Sequence, residues 1–174
     1  VGSAATSYVF TGLTNGTAYT FKVQAKNAAG LGTLSALSTS VTPYTTPGAP
    51  TILTPTAGDS QVTVAWSAPA SNGGATISDY RVTVYDSAGG APVGVTGGTS
   101  RLVGSAATSY VFTGLTNGTA YTFKVEAKNA AGYGALSALS TSVTPYTTPG
   151  APTISTLTPA DSQVTVAWSA PAVT

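Results

Sequence analysis

The feature that most constrains the fold of this chain is an internal repeat with a period of 102 residues. Residues 1–50 align with residues 103–152 without a gap, and the similarity continues through residues 153–172. This period has the length of a small domain and exceeds the unit of a solenoid protein, which is roughly 20–50 residues long. The repeat therefore predicts a tandem array of small domains. The first two segments differ at three positions: Gln24 against Glu126, Leu31 against Tyr133, and Thr33 against Ala135.

The domain boundaries are indicated by the segment "PYTTPGAP", which occurs at residues 43–50 and again at 145–152. Its content of proline, glycine and threonine is typical of linkers. Cutting the chain there predicts one complete domain at residues 47–148. With strands lettered in chain order, residues 1–46 are then the C-terminal part of a preceding domain, with strands E to G. Residues 149–174 are the N-terminal part of a following domain, with strands A and B.

The two partial domains are not expected to complete each other across copies of the chain. Joined end to end, they would lack the counterparts of residues 73–102, which include the predicted central strand at 77–86. The large apolar side chains of that strand stabilise by about 1.5–3 kcal/mol each, so their loss is comparable with a domain's whole stability of ~5–15 kcal/mol. We therefore expect a window of a longer array, unless an assembly supplies the missing strand.

Short runs of alternating apolar and polar residues fill the complete domain, and no stretch has helical periodicity. The run at 61–68, for example, directs Val62, Val64 and Trp66 to one face. Residues 87–98 are too rich in glycine for a core strand and are predicted to form a loop or irregular hairpin. The other runs are bounded by turn residues, and together they predict two antiparallel sheets packed face to face. Seven strands are predicted, one around Ile52 and the others at 61–68, 77–86, 99–104, 108–115, 120–129 and 140–145.

The same alternation predicts which side chains lie in the core. Trp66 and Trp168 share the parity of their neighbouring valines, so both are predicted to be core residues rather than carbohydrate platforms. On strand 120–129 the intervening positions carry charges, and they are predicted to form a solvated face with weak ion pairs to Arg81. The charged positions of that strand are Lys124, Glu126 and Lys128. The other predicted core residues are Tyr80, Val82, Val84, Tyr110, Phe112, Leu115, Tyr121, Phe123, Val125, Ala127 and Val143.

The composition argues against catalysis. The chain contains no cysteine, histidine or methionine, and its five carboxylates are not clustered. It therefore lacks the usual zinc and copper ligands, a catalytic triad, and the paired acids of a calcium loop or glycosidase. Charged residues make up 6% of the chain and the net charge is +1, against a usual charged fraction of about 25%. We expect no enzyme activity, no cofactor and no binding of nucleic acid.

No apolar run approaches the roughly 20 residues that span a bilayer, so no membrane insertion of this segment is expected. The surface is instead dominated by serine, threonine, glycine and alanine. Such a surface can remain exposed to solvent or pack against copies of itself, and the composition does not choose between these outcomes.

The order of landmark residues resembles the fibronectin type III family, in the style of the Ser/Thr-rich domains of bacterial secreted proteins. These landmarks are Pro50, Trp66, Tyr80, Leu115, Tyr121 and the segment "NAAGYG" at 129–134. The resemblance covers essentially the whole chain and implies an all-β, immunoglobulin-like antiparallel sandwich of seven strands. It also implies that Tyr19 and Tyr121 form tyrosine corners, in which the hydroxyl bonds to the backbone just upstream. That role explains why "LTNGTAYTF" occurs twice, at 13–21 and 115–123.

Candidate binding residues are few. Tyr133 lies in the "NAAGYG" segment between the last two predicted strands, where an exposed aromatic residue can anchor a partner or stack on a sugar. The alternative is an ordinary surface residue without a role. Asn15 and Asn117 each begin an N-glycosylation sequon, but turn chemistry already explains both Asn-Gly pairs. No Arg-Gly-Asp triplet occurs, so the integrin binding of some animal relatives is not expected here.

These observations predict a structural segment of a secreted or cell-surface bacterial protein, acting as a stalk, spacer, fibre or adhesin shaft. Its expected partners are the neighbouring domains of the same chain. One alternative is a self-assembling extracellular filament, in which the weakly charged surfaces pack laterally. Another is a set of accessory linker modules in an extracellular carbohydrate-active enzyme.

Overall fold

The structure is a computed structural model that describes residues 5–91, 95 and 98–171. These ranges contain twelve strands and no helix, and hence no helix long and apolar enough to cross a membrane. The strands are β1 (Gln24–Asn27), β2 (Gly30–Leu34), β3 (Thr51–Ile52), β4 (Thr56–Gly58), β5 (Gln61–Ser67), β6 (Asp79–Asp86), β7 (Ser100–Leu102), β8 (Ser109–Thr113), β9 (Tyr121–Asn129), β10 (Gly132–Tyr133), β11 (Thr153–Ala160) and β12 (Gln163–Ser169).

Two antiparallel sheets, built from β3 to β10, lie within the predicted complete domain at residues 47–148. In the first sheet the strand order is β10-β9-β6-β7. In the second sheet, β5 pairs with β3, with β4 and with β8. The longest pairing joins β6 to β9 residue by residue, from Asp79 opposite Lys128 to Asp86 opposite Tyr121. The prediction of an all-β protein with antiparallel sheets is thereby confirmed.

The core lies between these two sheets. Ring contacts link them at both ends, with Trp66 5.6 Å from Tyr80 and Phe112 5.2 Å from Phe123 between centroids. Period-2 alternation identified this face correctly because one side of each strand packs on the opposite sheet. The buried apolar residues are Val62, Val64, Trp66, Tyr80, Val82, Val84, Phe112, Leu115, Tyr121, Phe123, Val125 and Ala127. Tyr110 and Val143 pack against this cluster but are only partly buried.

Both tyrosine corners are present. The Thr116 N–H donates to the Tyr121 hydroxyl oxygen at 3.1 Å, and the Thr14 N–H donates to that of Tyr19 at 3.0 Å. Gly118 supplies the positive φ of the turn, at 79°, a conformation that costs glycine little. The corner therefore fixes the path of the chain into β9, one of the two inner strands of its sheet.

The number of strands in the domain differs from the seven predicted. The first predicted strand is divided into β3 and β4, with Pro55 in the interruption, because proline cannot donate a ladder hydrogen bond. The segment between the last two predicted strands contains β10, which pairs with the end of β9. The last predicted strand, at 140–145, is reduced to a single bridge between Tyr121 and Val143. Five of the twelve residues of the predicted loop at 87–98, namely 92–94 and 96–97, lie outside the described residues.

Serine side chains take the place of a regular last strand. Ser137 donates its N–H to the Val125 carbonyl at 2.8 Å, and its Oγ accepts the Val125 N–H at 2.9 Å. Ser140 makes the same two hydrogen bonds to Phe123: its N–H donates to the Phe123 carbonyl, and its Oγ accepts the Phe123 N–H, each at 2.9 Å. From Ser137 to Ser140 the segment spans three residues, while the bonded positions on β9, Val125 and Phe123, are two residues apart. A regular ladder pairs the two strands residue by residue. We call Ser137 and Ser140 the serine stitch.

The prediction that Trp168 is a core residue is wrong for this chain. Trp168 lies in β12, which pairs with β11 alone, and it is 64% exposed. Its side chain has the predicted parity, but no second sheet among the described residues covers that face. The inward-facing residues of the first partial domain are exposed for the same reason, including Tyr8, Phe10 and Val23.

Candidate binding surface around Tyr133

Tyr133 lies in β10, opposite Lys128 of β9, and is half-buried. The Arg81 guanidinium lies over its ring, with the central carbon 4.1 Å from the ring centroid, and the Lys128 ammonium is 5.1 Å away. Both distances fall within the range of cation–π attraction. Tyr133 is therefore less exposed than expected from the sequence, because its pairing in β10 lays the ring on the outer face of the sheet.

Glu126 completes this cluster. Its Oε1 atom accepts from the Arg81 Nε at 2.6 Å and also lies 2.6 Å from the Nη2 atom of that guanidinium. Glu126 is only 7% exposed, so the prediction of a fully solvated face is wrong at this position. Alternation placed Glu126 on the outer face correctly, but it could not reveal that a neighbouring arginine covers it. Arg81 therefore holds both Glu126 and Tyr133.

Two of the three positions that differ between the repeats meet at Arg81 in the fold. Glu126 and Tyr133 share Arg81, and the Ala135 N–H donates to the Pro47 carbonyl at 3.4 Å. In the first repeat, Gln24 instead bonds through Nε2 to the Gly32 carbonyl at 2.8 Å, and Leu31 is exposed. The substitutions therefore remove the side chains that contact Arg81 in the complete domain.

The geometry limits what this surface can bind. The Arg81 guanidinium, 4.1 Å from the ring centroid, covers one face of the Tyr133 ring, which leaves at most the opposite face for stacking on a sugar. Two clefts lie away from Tyr133, in the described part of the first partial domain. The larger, of about 710 Å³, is lined by Tyr8, Phe10 and Phe21, whose counterparts in the complete domain face its core. No group of three potential metal ligands occurs in the described ranges.

The Asn117 side chain joins the tyrosine corner to the turn between β4 and β5. Its Oδ1 accepts the Ser60 N–H at 2.9 Å, and its Nδ2 donates to the Asp59 Oδ1 at 2.8 Å. This hydrogen bond is the main cause that lowers the pKa of Asp59 below its ordinary value of 3.8. Because the folded-state pKa is lowered, the contact stabilises the domain above the unfolded-state pKa, and this contribution is lost as the pH falls through the folded-state value.

We expect Glu126 and Tyr133 to be energetically coupled through Arg81. Glu126→Gln and Tyr133→Leu, which restore the residue types of the first repeat, should each lower the free energy of unfolding by about 0.5–1.5 kcal/mol. Their combined effect should be smaller than the sum by about 0.5 kcal/mol or more, because both changes act on one guanidinium. Urea denaturation followed by circular dichroism measures the cycle.

A matched control for this cycle is Lys124→Gln on the same strand, whose ammonium is 5.9 Å from the centroid of the Tyr85 ring. Combined with Tyr133→Leu, it should give additive effects, since the two side chains share no contact given by the structure. Additivity of Glu126→Gln and Tyr133→Leu would contradict the coupling.

Two antiparallel sheets around one apolar core, closed by a tyrosine corner, define an immunoglobulin-like β-sandwich module. The model of the fibronectin type III domain matches residues 1–41 and 47–143. The chain belongs to the fibronectin type III family.

Three curated relatives are bacterial enzymes. Chitinase A1 of Niallia circulans is 40% identical over 137 residues, which cover 73% of this chain and 17% of that protein. Endoglucanase B of Cellulomonas fimi is 40% identical over 149 residues, covering 79% of this chain and 13% of that enzyme. Exoglucanase B of the same species is 35% identical over 188 residues, covering 98% of this chain and 16% of that enzyme. The chain thus spans less than a fifth of the length of each relative.

Solved structures agree on the fold. A crystal structure of domains from titin superposes with a TM-score of 0.52 at 24% identity, covering 76% of this chain and 42% of that one. At this level of identity the likeness extends to the sandwich architecture and not to function.

Proposed function

We propose that this chain consists of non-catalytic spacer modules in a secreted bacterial enzyme that degrades an insoluble polysaccharide. The observation that carries the proposal is that the alignments cover most of this chain but only a small part of each relative. The relatives align with 73–98% of this chain, whereas the chain accounts for only 13–17% of each of them. The aligned region is therefore an accessory part of proteins whose names describe hydrolysis of chitin and glucans.

The module is suited to a spacer role because its apolar core is built entirely from its own residues. Its buried apolar cluster lies entirely between Val62 and Ala127. The longest strand, β9, has nine residues, which at about 3.4 Å per residue span roughly 30 Å. Each module would therefore add about that distance between a catalytic domain and a domain that binds the solid substrate. Separation of this kind sets the effective concentration of the catalytic domain at the surface.

The test uses Chitinase A1 of Niallia circulans with its matching segment either deleted or replaced by this chain. Deletion should reduce hydrolysis of insoluble chitin several-fold and leave hydrolysis of a soluble oligosaccharide unchanged. Replacement by this chain should restore the activity on insoluble chitin. Equal activity of the deletion and replacement variants on insoluble chitin would overturn the proposal.

A second measurement separates a spacer from a binding module. The 174-residue chain alone should remain in the supernatant when mixed with insoluble chitin or cellulose. Retention that Tyr133→Ala abolishes would instead assign sugar binding to the surface around Tyr133.

A stalk or shaft of a cell-surface protein is the second candidate function. The near-identity of residues 1–50 and 103–152 supports it, because a long array can grow by duplication of one module. Negative-stain electron microscopy of the native protein distinguishes the candidates. A globular head beside a few beads supports the enzyme accessory, long strings support a stalk, and filaments several domains wide would support lateral self-assembly.

A further inference from the structure

The loop between β5 and β6 is bonded to the linker that precedes the domain. The Thr45 N–H donates to the Gly73 carbonyl at 2.8 Å, and the Gly48 N–H donates to the Ser71 carbonyl at 2.9 Å. These two backbone hydrogen bonds fix residues 45–48 of the linker at both ends and restrict their motion relative to the loop. A linker rich in proline and glycine is therefore held along the surface of the domain that follows it.

The Asn129 amide reinforces this contact from β9. Its Nδ2 donates to the Thr45 carbonyl at 2.7 Å and to the Asn72 carbonyl at 2.8 Å. Asn129 is buried, and its Oδ1 accepts the Ala131 N–H at 2.8 Å. Since Nδ2 has two hydrogens, both are used, one on the linker and one on the loop.

Close packing adds a steric component. A Cβ atom built at Gly73 would overlap the Thr45 carbonyl oxygen, and one at Gly74 would overlap the Gly16 backbone nitrogen. Gly16 belongs to the tyrosine corner of the preceding domain, and its N–H donates to the Pro43 carbonyl at 2.9 Å. The loop thus touches both the linker and the body of the preceding domain, and only glycine fits at these two positions.

We propose that these contacts form a stiff joint between the complete domain and the domain that precedes it. The socket is residues 71–74 with Asn129, and the plug is residues 14–16 with 43–48 of the preceding copy. The repeat places an identical plug sequence at 116–118 and 145–150. The complete domain therefore carries both a socket and a plug, and two copies of it joined in tandem are held at a fixed angle.

The test uses two copies of residues 47–148 joined end to end, which reproduces the natural sequence across the junction. Each copy contains the complete buried core. Because the chain has no cysteine, a spin label can be placed at Thr113→Cys, an exposed position, in each copy. Double electron–electron resonance should give a single narrow distance distribution. Gly74→Ala in the second copy should at least double its width, because the new methyl group displaces the plug.

The matched control is Gly89→Ala, because Gly89 has the same φ of +86° and an added Cβ there meets nothing within 4 Å. Both substitutions carry a similar backbone strain, so they should lower the melting temperature of a single copy by similar amounts. Only Gly74→Ala should broaden the distances in the tandem protein. A broad distribution in the unsubstituted tandem, or equal distributions for the two variants, would overturn the joint. The chitin assay would still test the spacer proposal independently, and a positive result there would then describe a flexible tether.

Discussion

Replacing Trp66 with alanine should lower the free energy of unfolding of the complete domain by about 3–5 kcal/mol, while Trp168→Ala should cost less than about 0.5 kcal/mol. The two residues occupy the same place in identical heptapeptides, the "QVTVAWS" of β5 and β12. Trp66 is 3% exposed and Trp168 is 64% exposed. The difference between the variants therefore isolates the burial of the indole from the local sequence around it.

The measurement is urea denaturation of the whole chain, followed by far-ultraviolet circular dichroism so that loss of a tryptophan does not alter the probe. The domain's total stability is expected to be ~5–15 kcal/mol, so the Trp66 variant should unfold at a much lower urea concentration. Trp66→Phe is the conservative companion variant, because it keeps an aromatic ring in the core and should recover part of the loss. Equal midpoints for Trp66→Ala and Trp168→Ala would contradict the assignment of Trp66 to the core.

The same pair of residues shows what the sequence could and could not predict. Alternation gave both tryptophans the correct parity, because side-chain direction along a strand is a local property. Burial depends on a second sheet, and whether one covers a given strand is not encoded in the strand itself. The core at Val62, Phe112 and Phe123 was predictable because its partner strands lie in the same domain.

The cluster at Tyr133 was missed for a related reason. The pairing of β10 with the end of β9 brings Tyr133 to the Arg81 guanidinium, and this pairing depends on a turn that resembles a loop in the sequence. A usable signal was nevertheless present. Glu126 and Tyr133 are two of the three positions that differ between the repeats, and joint change is expected of residues that share a partner.

The joint left a weaker signal in the sequence. Two adjacent glycines at 73 and 74 indicate a tight turn, and turn chemistry alone accounts for them. Their second role arises from the Gly16 and Thr45 backbones of the preceding domain. A contact between modules is not visible in the pattern of one module, so the sequence predicted the linker but not how it is held.

Removing the serine stitch should destabilise the domain strongly, although both side chains are small. In Ser137→Ala the Val125 N–H loses its acceptor, and in Ser140→Ala the Phe123 N–H loses its own. Both hydrogen bonds are buried, and a buried donor left unpaired costs about 1–3 kcal/mol. We therefore expect the double variant to lose about 2–6 kcal/mol of the free energy of unfolding, measured by urea denaturation. Hydrogen exchange should also become faster at the amides of Val125 and Phe123.

The first repeat supplies the control for this prediction. Ser35 and Ser38 make the same hydrogen bonds to Val23 and Phe21, at 3.0 and 2.9 Å, but these bonds are exposed. Water can replace a lost acceptor there, so Ser35→Ala with Ser38→Ala should change the midpoint of unfolding little. The prediction would be contradicted if the double substitution at Ser137 and Ser140 and the one at Ser35 and Ser38 changed the free energy of unfolding equally. The serine stitch would then not be the interaction that keeps the last segment on β9. Backbone bonds from the Ser137 and Ser140 N–H groups would then suffice, since both survive substitution by alanine.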